Sequence, residues 1–506
     1  MNAAPGTTWT IAGCRAFTGP YGELASGPVD LFIDNGCIDA ILPAGTAAPR
    51  GTLIDGRDRL AAPGFINGHT HSHENFHKGR YDNVPLELWM NFVRPLEPIP
   101  FTPRQVYLRT LIGAIEALRS GTTTICDDMN ASPVLRPELV DAQWQAYRDI
   151  GIRALCGITL FDRPFFRAMP YVDEEFPQDL LARLDATKST PAAEFLAFAE
   201  TRARNFPARE HRVAYLATPS APQRCSTGFL LAVRDLADRH HAPLIIHAQE
   251  TRMQVVTGQL FYGRTMIEEL AAIGFLKSAT SVIHAVWLKP SEIELIAQAG
   301  VSIQHNPQSN LKLGSGLAPI RAMLDAGINV SLGTDGCGSI ENVDMLKVVS
   351  QTALIHKLRG DDPARWIGAA EAFEAATAGG ARALGLDAQI GRLAPGMKAD
   401  FCLWRTDSIA FQPLNNPLHQ LVFNASGACL DTVFVDGEPA MRGGTLTRVD
   451  EASLLAEVAT EHATLAPLIA RAEDSVAPML APYRRIWERC QREAIADETY
   501  PARFDR

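Results

Sequence analysis

The sequence lacks the features of a membrane-bound, secreted or nucleic-acid-binding protein. No apolar stretch approaches the roughly 18 to 20 residues that a helix needs to cross a bilayer. Residues 1–9 contain no basic segment followed by an apolar one, so we expect no secretory signal and a cytoplasmic location. Basic residues are in deficit, with 47 Lys and Arg against 57 Asp and Glu and a formal net charge of −10. This deficit argues against electrostatic binding to nucleic-acid backbones or anionic membranes.

Cysteine is present but lacks the spacing of a structural framework. The nine cysteines are scattered, with no Cys-x-x-Cys pair among them. We therefore expect neither a disulfide framework nor a cysteine zinc site, and a reducing compartment fits this pattern. Most of them should be small core residues. Cys337 is the exception, because it follows Asp335 by two residues and could line a pocket.

What the sequence does contain is a series of eight short apolar runs, rich in β-branched residues, of the kind typical of strands buried on both faces. Helix-like stretches such as 104–120 and 228–241 separate them. Strands alternating with helices predict a parallel sheet, and eight repeats over roughly 250 residues predict a (β/α)8 TIM barrel. The runs are residues 60–68, 122–126, 151–156, 213–216, 243–247, 281–284, 300–305 and 329–335.

Strand-like segments also flank the predicted barrel on both sides. Residues 1–62 contain three of them, and the turn Asp34-Asn-Gly36 between two of these is a strong hairpin signal. Residues 388–447 contain two more. We predict an α/β protein in which the barrel, residues 63–387, is inserted into a small β-sandwich domain built from both flanks. Residues 448–506 are interpreted as a charged helical extension for packing or oligomer contacts, and we expect a homodimer or homotetramer.

Candidate metal ligands lie at the ends of these strands. His69 and His71 end the first run, and alternate residues of a strand face the same side, so both imidazoles can reach one ion. His247 ends the fifth run and Asp335 the eighth, and the chemistry of such barrels lies at the carboxyl ends of the strands. Three neutral imidazoles and one carboxylate suit zinc, with Fe(II) as the alternative. Such an ion lowers the pKa of bound water to about 7.

Two further residues could act on a substrate. Glu250 follows His247 by three residues. A carboxyl group in a partly dry site has a raised pKa and can donate a proton to a substrate nitrogen, and the alternative is that Glu250 is the first-turn acidic residue of the next helix. His284 ends the sixth run. It could polarise the oxygen on the attacked carbon, orient the water or complete the metal shell, and structural burial is its simpler explanation.

Weaker candidates for substrate contacts lie in or near the long connections 72–103 and 161–190, since long loops at an active face often carry lids and binding residues. Trp89 and Met90 could line the binding site of a flat substrate, and core packing explains them equally well. His305 ends the seventh run and could contact substrate or serve only the structure. Four residues fit structural uses more simply: His73, His77, Asp127 and Asp128.

These segments together resemble the amidohydrolase superfamily, and within it the branch of mononuclear aminohydrolases and chlorohydrolases. That branch contains the S-adenosylhomocysteine/methylthioadenosine deaminases and the triazine hydrolases. The similarity extends from about residue 8 to residue 447. The matching motifs are Pro63-Gly-Phe-Ile-Asn-Gly-His-Thr-His71, His247-Ala-Gln-Glu250, His284, residues 305–316, Gly333-Thr-Asp-Gly336 and residues 391–400.

The resemblance implies a role for each matched residue. The four candidate ligands would bind one divalent metal ion, and Asp335 would also accept the proton of the water. Glu250 would protonate the leaving or ring nitrogen, and His284 would stabilise the developing tetrahedral centre. Residues 216–220, after the fourth strand, contain no lysine of the kind that bridges two metals in binuclear relatives, so one metal ion is expected.

The leaving group stays open at this point. In triazine relatives the stretch after the metal-binding aspartate helps to choose between amino and chloride leaving groups. Here that stretch is Gly336-Cys-Gly-Ser339, which matches neither reference pattern fully. Cys337 and Ser339 are therefore candidate substrate contacts.

Three functions are compatible with these residues. The first is a metal-dependent aminohydrolase, in which metal-bound hydroxide attacks an amino-bearing ring carbon of a flat nitrogen heterocycle and ammonia leaves. The substrate would be a purine, pterin, pyrimidine or triazine. The second keeps the metal but removes chloride or an alkylamine from a triazine-like ring. The third is a non-catalytic barrel that serves as a scaffold, against which the complete set of metal and acid residues argues.

Overall fold

The computed structural model describes residues 8–95, 97–360 and 362–503. Over these residues the chain forms seventeen strands and nineteen α-helices, with seven short 3-10 helices between them. The strands are β1 (Trp9–Ala16), β2 (Val29–Asp34), β3 (Cys37–Pro43), β4 (Thr52–Asp55), β5 (Arg59–Pro63), β6 (Phe65–Thr70), β7 (Thr122–Met129), β8 (Arg153–Ile158), β9 (Val213–Tyr215), β10 (Leu244–Ala248), β11 (Thr280–His284), β12 (Ser302–His305), β13 (Val330–Leu332), β14 (Phe401–Arg405), β15 (Leu430–Val435), β16 (Glu438–Arg442) and β17 (Thr445–Leu446).

Most of the helices follow strands, as the alternating pattern predicts. The α-helices are α1 (Leu86–Val93), α2 (Pro103–Arg119), α3 (Pro137–Ile150), α4 (Val172–Glu175), α5 (Gln178–Asp185), α6 (Ala192–Asn205), α7 (Thr227–Arg239), α8 (Arg252–Tyr262), α9 (Met266–Ala272), α10 (Pro290–Gln298), α11 (Pro307–Lys312), α12 (Ile320–Asp325), α13 (Cys337–Ile340), α14 (Met345–Ile355), α15 (Ala369–Ala376), α16 (Ala378–Ala383), α17 (Pro417–Phe423), α18 (Glu451–Asp474) and α19 (Ala477–Arg492). Within the described residues, none of these helices has both the length and the hydropathy to span a membrane.

Eight parallel strands form the central part of the fold. They lie in two four-stranded sheets, β6 to β9 and β10 to β13. The sheets meet at one edge through a parallel bridge between Ala217 and Leu244. At the other edge the backbone N–H of Asp335 donates to the backbone oxygen of His69 at 2.9 Å. The fold is thus mixed α/β of the TIM-barrel type, while the described strands do not form one continuous ladder around a closed barrel.

The apolar run 60–68, which the sequence pattern predicts as one strand, is divided into two. Strand β5 belongs to the flank sheet and β6 to the parallel strands. Gly64 lies between them, where the chain passes so close to Thr123 that a Cβ would lie 2.1 Å from its Oγ1. Only glycine allows this approach, and it is the point at which the chain leaves one sheet for the other.

The flank strands form a single connected sheet rather than two separate ones. Its order is β17-β16-β15-β14-β5-β1-β2-β3, with β4 also paired to β1. Strand β5 is antiparallel to β14 and parallel to β1, so it joins the two flanks. The hairpin predicted at Asp34-Asn-Gly36 is confirmed: β2 and β3 pair antiparallel, and Asn35 and Gly36 both have positive φ, as a two-residue turn of this type requires. The two-layer sandwich stays a prediction.

The C-terminal helix α19 packs against α1, α4 and α8. One buried apolar cluster contains Tyr483 and Ile486 of α19, Leu88 of α1 and Met169 and Phe176 of the connection 161–190. That connection is not a bare loop, because it contains the short helices α4 and α5. The C-terminal extension therefore holds in place the segments that follow the first and third parallel strands.

A buried ionic contact links the parallel strands to the flank sheet. Arg153 on β8 is 4% exposed, and its Nε lies 2.7 Å from Oδ2 of Asp400. Its Nη2 also donates to Asp436, just after β15. A buried charge is tolerated only when it is paired, so each member of this group depends on the others.

We expect Arg153→Met to lower the free energy of unfolding by about 3 kcal/mol or more, because it leaves the buried carboxylate of Asp400 and the partly buried one of Asp436 without their cation. Urea denaturation followed by circular dichroism measures the change. Arg57→Met is the matched control, since Arg57 pairs with Asp55 on the exposed surface, and it should unfold at the wild-type midpoint. Equal midpoints for Arg153→Met and wild type would show that the buried pair does not stabilise the fold.

Candidate metal centre and substrate cavity

The four candidate metal ligands meet at the carboxyl ends of the parallel strands. His69 lies on β6 and His71 just beyond it, while His247 lies on β10 and Asp335 follows β13. Nε2 of His69 and Nε2 of His71 each lie 3.5 Å from Oδ1 of Asp335. Nε2 of His247 lies 3.2 Å from Nε2 of His69. The ligand atoms form two overlapping groups: His69, His71 and His247 make the first, and His69, His284 and Asp335 the second. Within each group these atoms lie within 4.8 Å of one another.

Backbone carbonyls orient two of these imidazoles. Nδ1 of His71 lies 2.7 Å from the oxygen of Asp128, and Nδ1 of His247 lies 2.9 Å from the oxygen of Ser220. A carbonyl can only accept, so both Nδ1 atoms carry the proton and both Nε2 lone pairs point into the cluster. Metal-binding histidines are oriented in the same way, by a hydrogen bond from the other ring nitrogen. The donor set and its orientation therefore fit a divalent cation.

The charges of the cluster also fit a cation. Burial, and then the charge of His69, lower the pKa of His247 well below its usual value, so its imidazole is neutral. Burial raises the pKa of Asp335, but the hydrogen bond and charge of His69 outweigh burial and hold that pKa well below its usual range. Burial lowers the pKa of His71, yet the charges of Glu74 and Asp335 raise it overall. The cluster thus combines an ionised carboxylate with a neutral imidazole, a donor set that suits a bound cation.

Glu250 and His284 lie beside this cluster of candidate ligands. Nε2 of His284 is 3.6 Å from Oε2 of Glu250 and 3.8 Å from Oδ2 of Asp335. Nδ1 of His284 donates to Oδ1 of Asn310 at 2.8 Å, which leaves the Nε2 lone pair facing the two carboxyl groups. His284 and Asp335 both have φ of +71°, a left-handed conformation that costs free energy in non-glycine residues and is concentrated at functional sites.

The protonation states of this pair differ from those of free side chains. Burial, followed by the charges of Asp335 and Glu87, raises the pKa of Glu250 well above its usual value. Burial lowers the pKa of His284 to about 4. At neutral pH Glu250 therefore carries a proton that it can donate, and His284 is an uncharged imidazole that can accept one.

A cavity opens over the cluster. His71, His247, His284, Glu250 and Asp335 form its floor, and its walls are mainly apolar and aromatic. Such a lining, apolar with a few polar groups, is typical of sites for small organic ligands. The apolar and aromatic residues of the wall are Leu86, Trp89, Met90, Phe165, Ala168, Met169, Ala221, Met253 and Leu313.

The weaker sequence candidates divide into two groups. Trp89 lines the cavity, and its Nε1–H donates to the backbone oxygen of Gly338 at 3.1 Å, which fixes the ring. His305 is buried, with Nε2 3.0 Å from Nε2 of His356. Cys337 lies in the main apolar core, and the hydroxyl of Ser339 donates to Gly336. Among the described residues, His305, Cys337 and Ser339 do not line the cavity.

The sequence patterns did not single out four charged residues that line the cavity, Glu74, Glu87, Arg94 and Arg224. Glu74 accepts a hydrogen bond from the N–H of Gly338 at 3.2 Å, and burial raises its pKa to about 7. Arg94 and Arg224 lie in the segments that follow the first and fourth parallel strands. The only signal in the sequence is a charge placed within an apolar or proline-rich segment, which a solvent-exposed loop explains equally well.

Comparisons with known proteins agree with this geometry. The model of the amidohydrolase family matches residues 60–440. The chain is 34% identical over 393 residues to the 5-methylthioadenosine/S-adenosylhomocysteine deaminase of Thermococcus kodakarensis, which covers 77% of this chain and 84% of that protein. It is 34% identical over 416 residues to the 5′-deoxyadenosine deaminase of Methanothermobacter thermautotrophicus, covering 82% and 90%.

Solved structures show the same architecture. An adenosine deaminase from Xanthomonas campestris with bound zinc superposes with a TM-score of 0.78 at 28% identity, covering 91% of this chain and 98% of that one. The triazine hydrolase from Arthrobacter aurescens gives a TM-score of 0.81 at 25% identity, covering 90% and 99%. The chain belongs to the amidohydrolase family. The family and its deaminase-named relatives support a hydrolase that acts on C–N bonds, with a divalent metal ion.

We expect the purified protein to contain about one equivalent of a divalent transition metal, and His247→Ala to lose most of it, because a neutral imidazole is removed from the cluster. Inductively coupled plasma mass spectrometry after gel filtration measures the content. Glu250→Gln is the matched control, since it changes a cavity residue outside the predicted ligand set and should retain the metal. A His247→Ala protein with a full equivalent of metal would contradict the ligand assignment.

Proposed function

We propose that this chain is a metal-dependent aminohydrolase that removes ammonia from a flat nitrogen heterocycle. The observation that carries the proposal is the position of a protonated carboxyl group, Glu250, beside the His and Asp cluster on the floor of a mainly apolar cavity. The deaminases among its relatives support the same chemistry and favour an adenine nucleoside as the substrate class.

In this proposal His69, His71, His247 and Asp335 hold one metal ion, and zinc is favoured by the zinc-bound relative of similar fold. Such an ion lowers the pKa of a water molecule to about 7, so that hydroxide is available at neutral pH. A single ion is expected, since residues 216–220 provide no lysine to bridge a second one.

Asp335 and His284 prepare the nucleophile. The two oxygens of Asp335 face different partners, Oδ1 the imidazoles of His69 and His71 and Oδ2 the imidazole of His284. Asp335 therefore can take the proton of the attacking water while it stays in the cluster. His284 presents an unprotonated Nε2, so it can orient that water by accepting a hydrogen bond. To stabilise the tetrahedral centre, as the resemblance implies, it would first have to take up a proton.

Glu250 acts as the proton donor in the proposed reaction. Its raised pKa keeps the carboxyl protonated at neutral pH, and protonation of the ring or leaving nitrogen makes ammonia a better leaving group. The hydroxyl of Ser315 lies 3.5 Å from Oε1, and the backbone N–H of Glu250 donates to Gln254 at 2.8 Å. These contacts fix the segment beside the cavity floor.

The finer architecture is also a proposal. We infer that β6 to β13 form one closed barrel over residues 63–387, supported by the contacts at both sheet edges. We infer that residues 1–62 and 388–447 form a sandwich. One support is that the first half of β1 pairs with β4 and its last residues pair with β5. The other is that Trp9 of the first flank packs against Phe434 of the second. Residues 448–506 would then be the separate helical extension.

Removal of chloride or an alkylamine from a triazine-like ring is the second candidate. The similarity to a triazine hydrolase favours it, and the same metal, Asp335 and Glu250 could perform it. The stretch Gly336-Cys-Gly-Ser339 does not distinguish the two, because Cys337 and Ser339 are not among the described residues that line the cavity.

We expect Glu250→Gln to reduce kcat by roughly 10²- to 10⁴-fold, because the amide cannot donate the proton that the leaving nitrogen needs. Ammonia release is measured across purines, adenine nucleosides, pterins, pyrimidines and aminotriazines with metal-loaded protein. Gln259→Ala, on the outer side of α8 and outside this cavity, is the control and should keep full activity. An undiminished rate for Glu250→Gln would show that the acid is another group.

The leaving group is settled by a matched pair of substrates. We expect an amino-substituted ring to be hydrolysed faster than the same ring with chlorine, since chloride departs without the proton that Glu250 supplies. Ammonia and chloride release from aminotriazine and chlorotriazine pairs give the comparison. Chloride release with no ammonia from any ring would favour the second candidate.

A further inference from the structure

We propose that the cavity takes a heterocycle that carries an anionic oxygen group, a carboxylate or a phosphate, and that Arg94 and Arg224 bind this group. The inference rests on the proposed function for the position of the ring beside Glu250, and it names the substrate class of the same site. Carboxylate and phosphate share the oxygen geometry that a guanidinium recognises with two parallel hydrogen bonds.

Arg224 is a buried cation held in a fixed position. It is 4% exposed, ends the 3-10 helix Pro222–Arg224 and lines the cavity. Its Nε donates to the backbone oxygen of Arg163 at 3.3 Å. Its guanidinium carbon lies 4.0 Å from the ring centre of Phe161 and 5.6 Å from that of Phe165. These contacts use Nε and the faces of the guanidinium plane and leave its Nη groups for a ligand.

Arg224 has no carboxylate within 4 Å among the residues that the structure describes. Arg153 is equally buried but differs from it, with Asp400 and Asp436 in contact. An unpaired buried charge destabilises a folded protein by several kcal/mol unless something else compensates it. A bound anion is the direct compensation.

Arg94 adds a second guanidinium to the same cavity. It follows helix α1, and its buried Nε has no hydrogen-bond partner within the described part of the chain. The carboxylates that face it are Glu74 and Asp128, which are more than 4 Å away and already have other partners. Glu74 accepts from the N–H of Gly338, and Asp128 accepts from the hydroxyl of Thr159 at 2.8 Å.

The two guanidiniums are close enough to influence each other. Burial lowers the pKa of Arg224 to about 9, and the positive charge of Arg94 is the next cause of that decrease. Both groups are still charged at neutral pH, so they repel. A shared anion would relieve this repulsion, and an uncharged substituent would not.

The position of the pair fits a substituent on the ring better than the ring itself. Arg94 and Arg224 follow the first and fourth parallel strands, whereas Glu250 and Asp335 follow the fifth and eighth. In the described part of the chain neither arginine lies within 4 Å of a carboxylate oxygen of Glu250 or Asp335, whose ion-pair partners are histidines, so the reacting carbon and the anionic group would occupy different parts of one cavity. Apolar and aromatic residues such as Trp89, Met90 and Met253 lie on the wall around them, as a flat ring requires.

The test compares ligands that differ only in the anionic group. Zinc-loaded wild-type protein is titrated calorimetrically with rings that lack the exocyclic amino group, so that no turnover occurs. Inosine 5′-monophosphate against inosine forms the phosphate arm. Inosine 5′-carboxylate and lumazine 6-carboxylate, each against its amide, form the carboxylate arm. We expect at least one arm to bind roughly ten- to a hundredfold more tightly than its neutral partner, as charge-assisted hydrogen bonds predict.

Variants then assign the preference to residues. Arg224→Gln should remove most of the preference for the anion and leave the affinity for the neutral partner near that of wild type. Arg94→Gln should remove part of it, and Arg224→Lys should restore part of it, since charge returns without the planar fork. Arg167→Gln is the control, because Arg167 lies on the connection 161–190 beside the cavity but pairs with Asp173 and Asp185 outside it.

Equal affinities within every pair, or no binding of any anionic ring, would overturn the inference. So would a preference that survives Arg224→Gln and Arg94→Gln unchanged. The results that would contradict this inference differ from those that would contradict the proposed function. Ammonia release without anion preference would contradict only this inference. Anion preference without ammonia release from any ring would contradict only the deaminase proposal.

Discussion

The structure depends on one electrostatic constraint, the burial of a carboxylate against three imidazoles at the ends of the parallel strands. Asp335 is ionised, His247 is neutral, and the Nε2 atoms of His69 and His247 lie 3.2 Å apart. Such a group is expensive to bury unless a cation binds in it. Every other element of the site is arranged around this requirement. Carbonyls fix the rings, strained backbone turns His284 and Asp335 inward, and burial keeps the proton on Glu250.

The scaffold explains why the cluster can be so compact. The backbone hydrogen bond from Asp335 to His69 brings the last parallel strand against the first, so the two ends of the strand series meet at the site. The cavity above is built from segments that are not strands at all. Helix α1 and the connection 161–190 supply much of its wall, and helix α19 packs on both. The C-terminal extension therefore belongs to the architecture of the cavity even though it contains none of the reacting groups.

The sequence patterns predicted the parts of the molecule that follow a periodicity. Strand ends could be located from apolar runs, so His69, His71, His247 and His284 could be assigned to one face before the structure was known. The division of the run 60–68 could not, because it depends on a close contact between Gly64 and Thr123. Arg94 and Arg224 were missed for a similar reason: their burial is created by segments distant in the sequence. Proximity to Asp335 in the chain suggested Cys337 and Ser339 as substrate contacts, whereas neither is among the described residues that line the cavity.

The proposed metal centre consists of four side chains, His69, His71, His247 and Asp335, that bind one divalent ion. Anomalous diffraction from crystals, with data collected on both sides of the zinc absorption edge, tests it directly. We predict a single strong peak in the anomalous difference map, about 2.0 to 2.2 Å from Nε2 of His69, His71 and His247 and from one oxygen of Asp335. A peak elsewhere, a second peak of equal height beside it, or no peak in crystals of zinc-loaded protein would contradict the account.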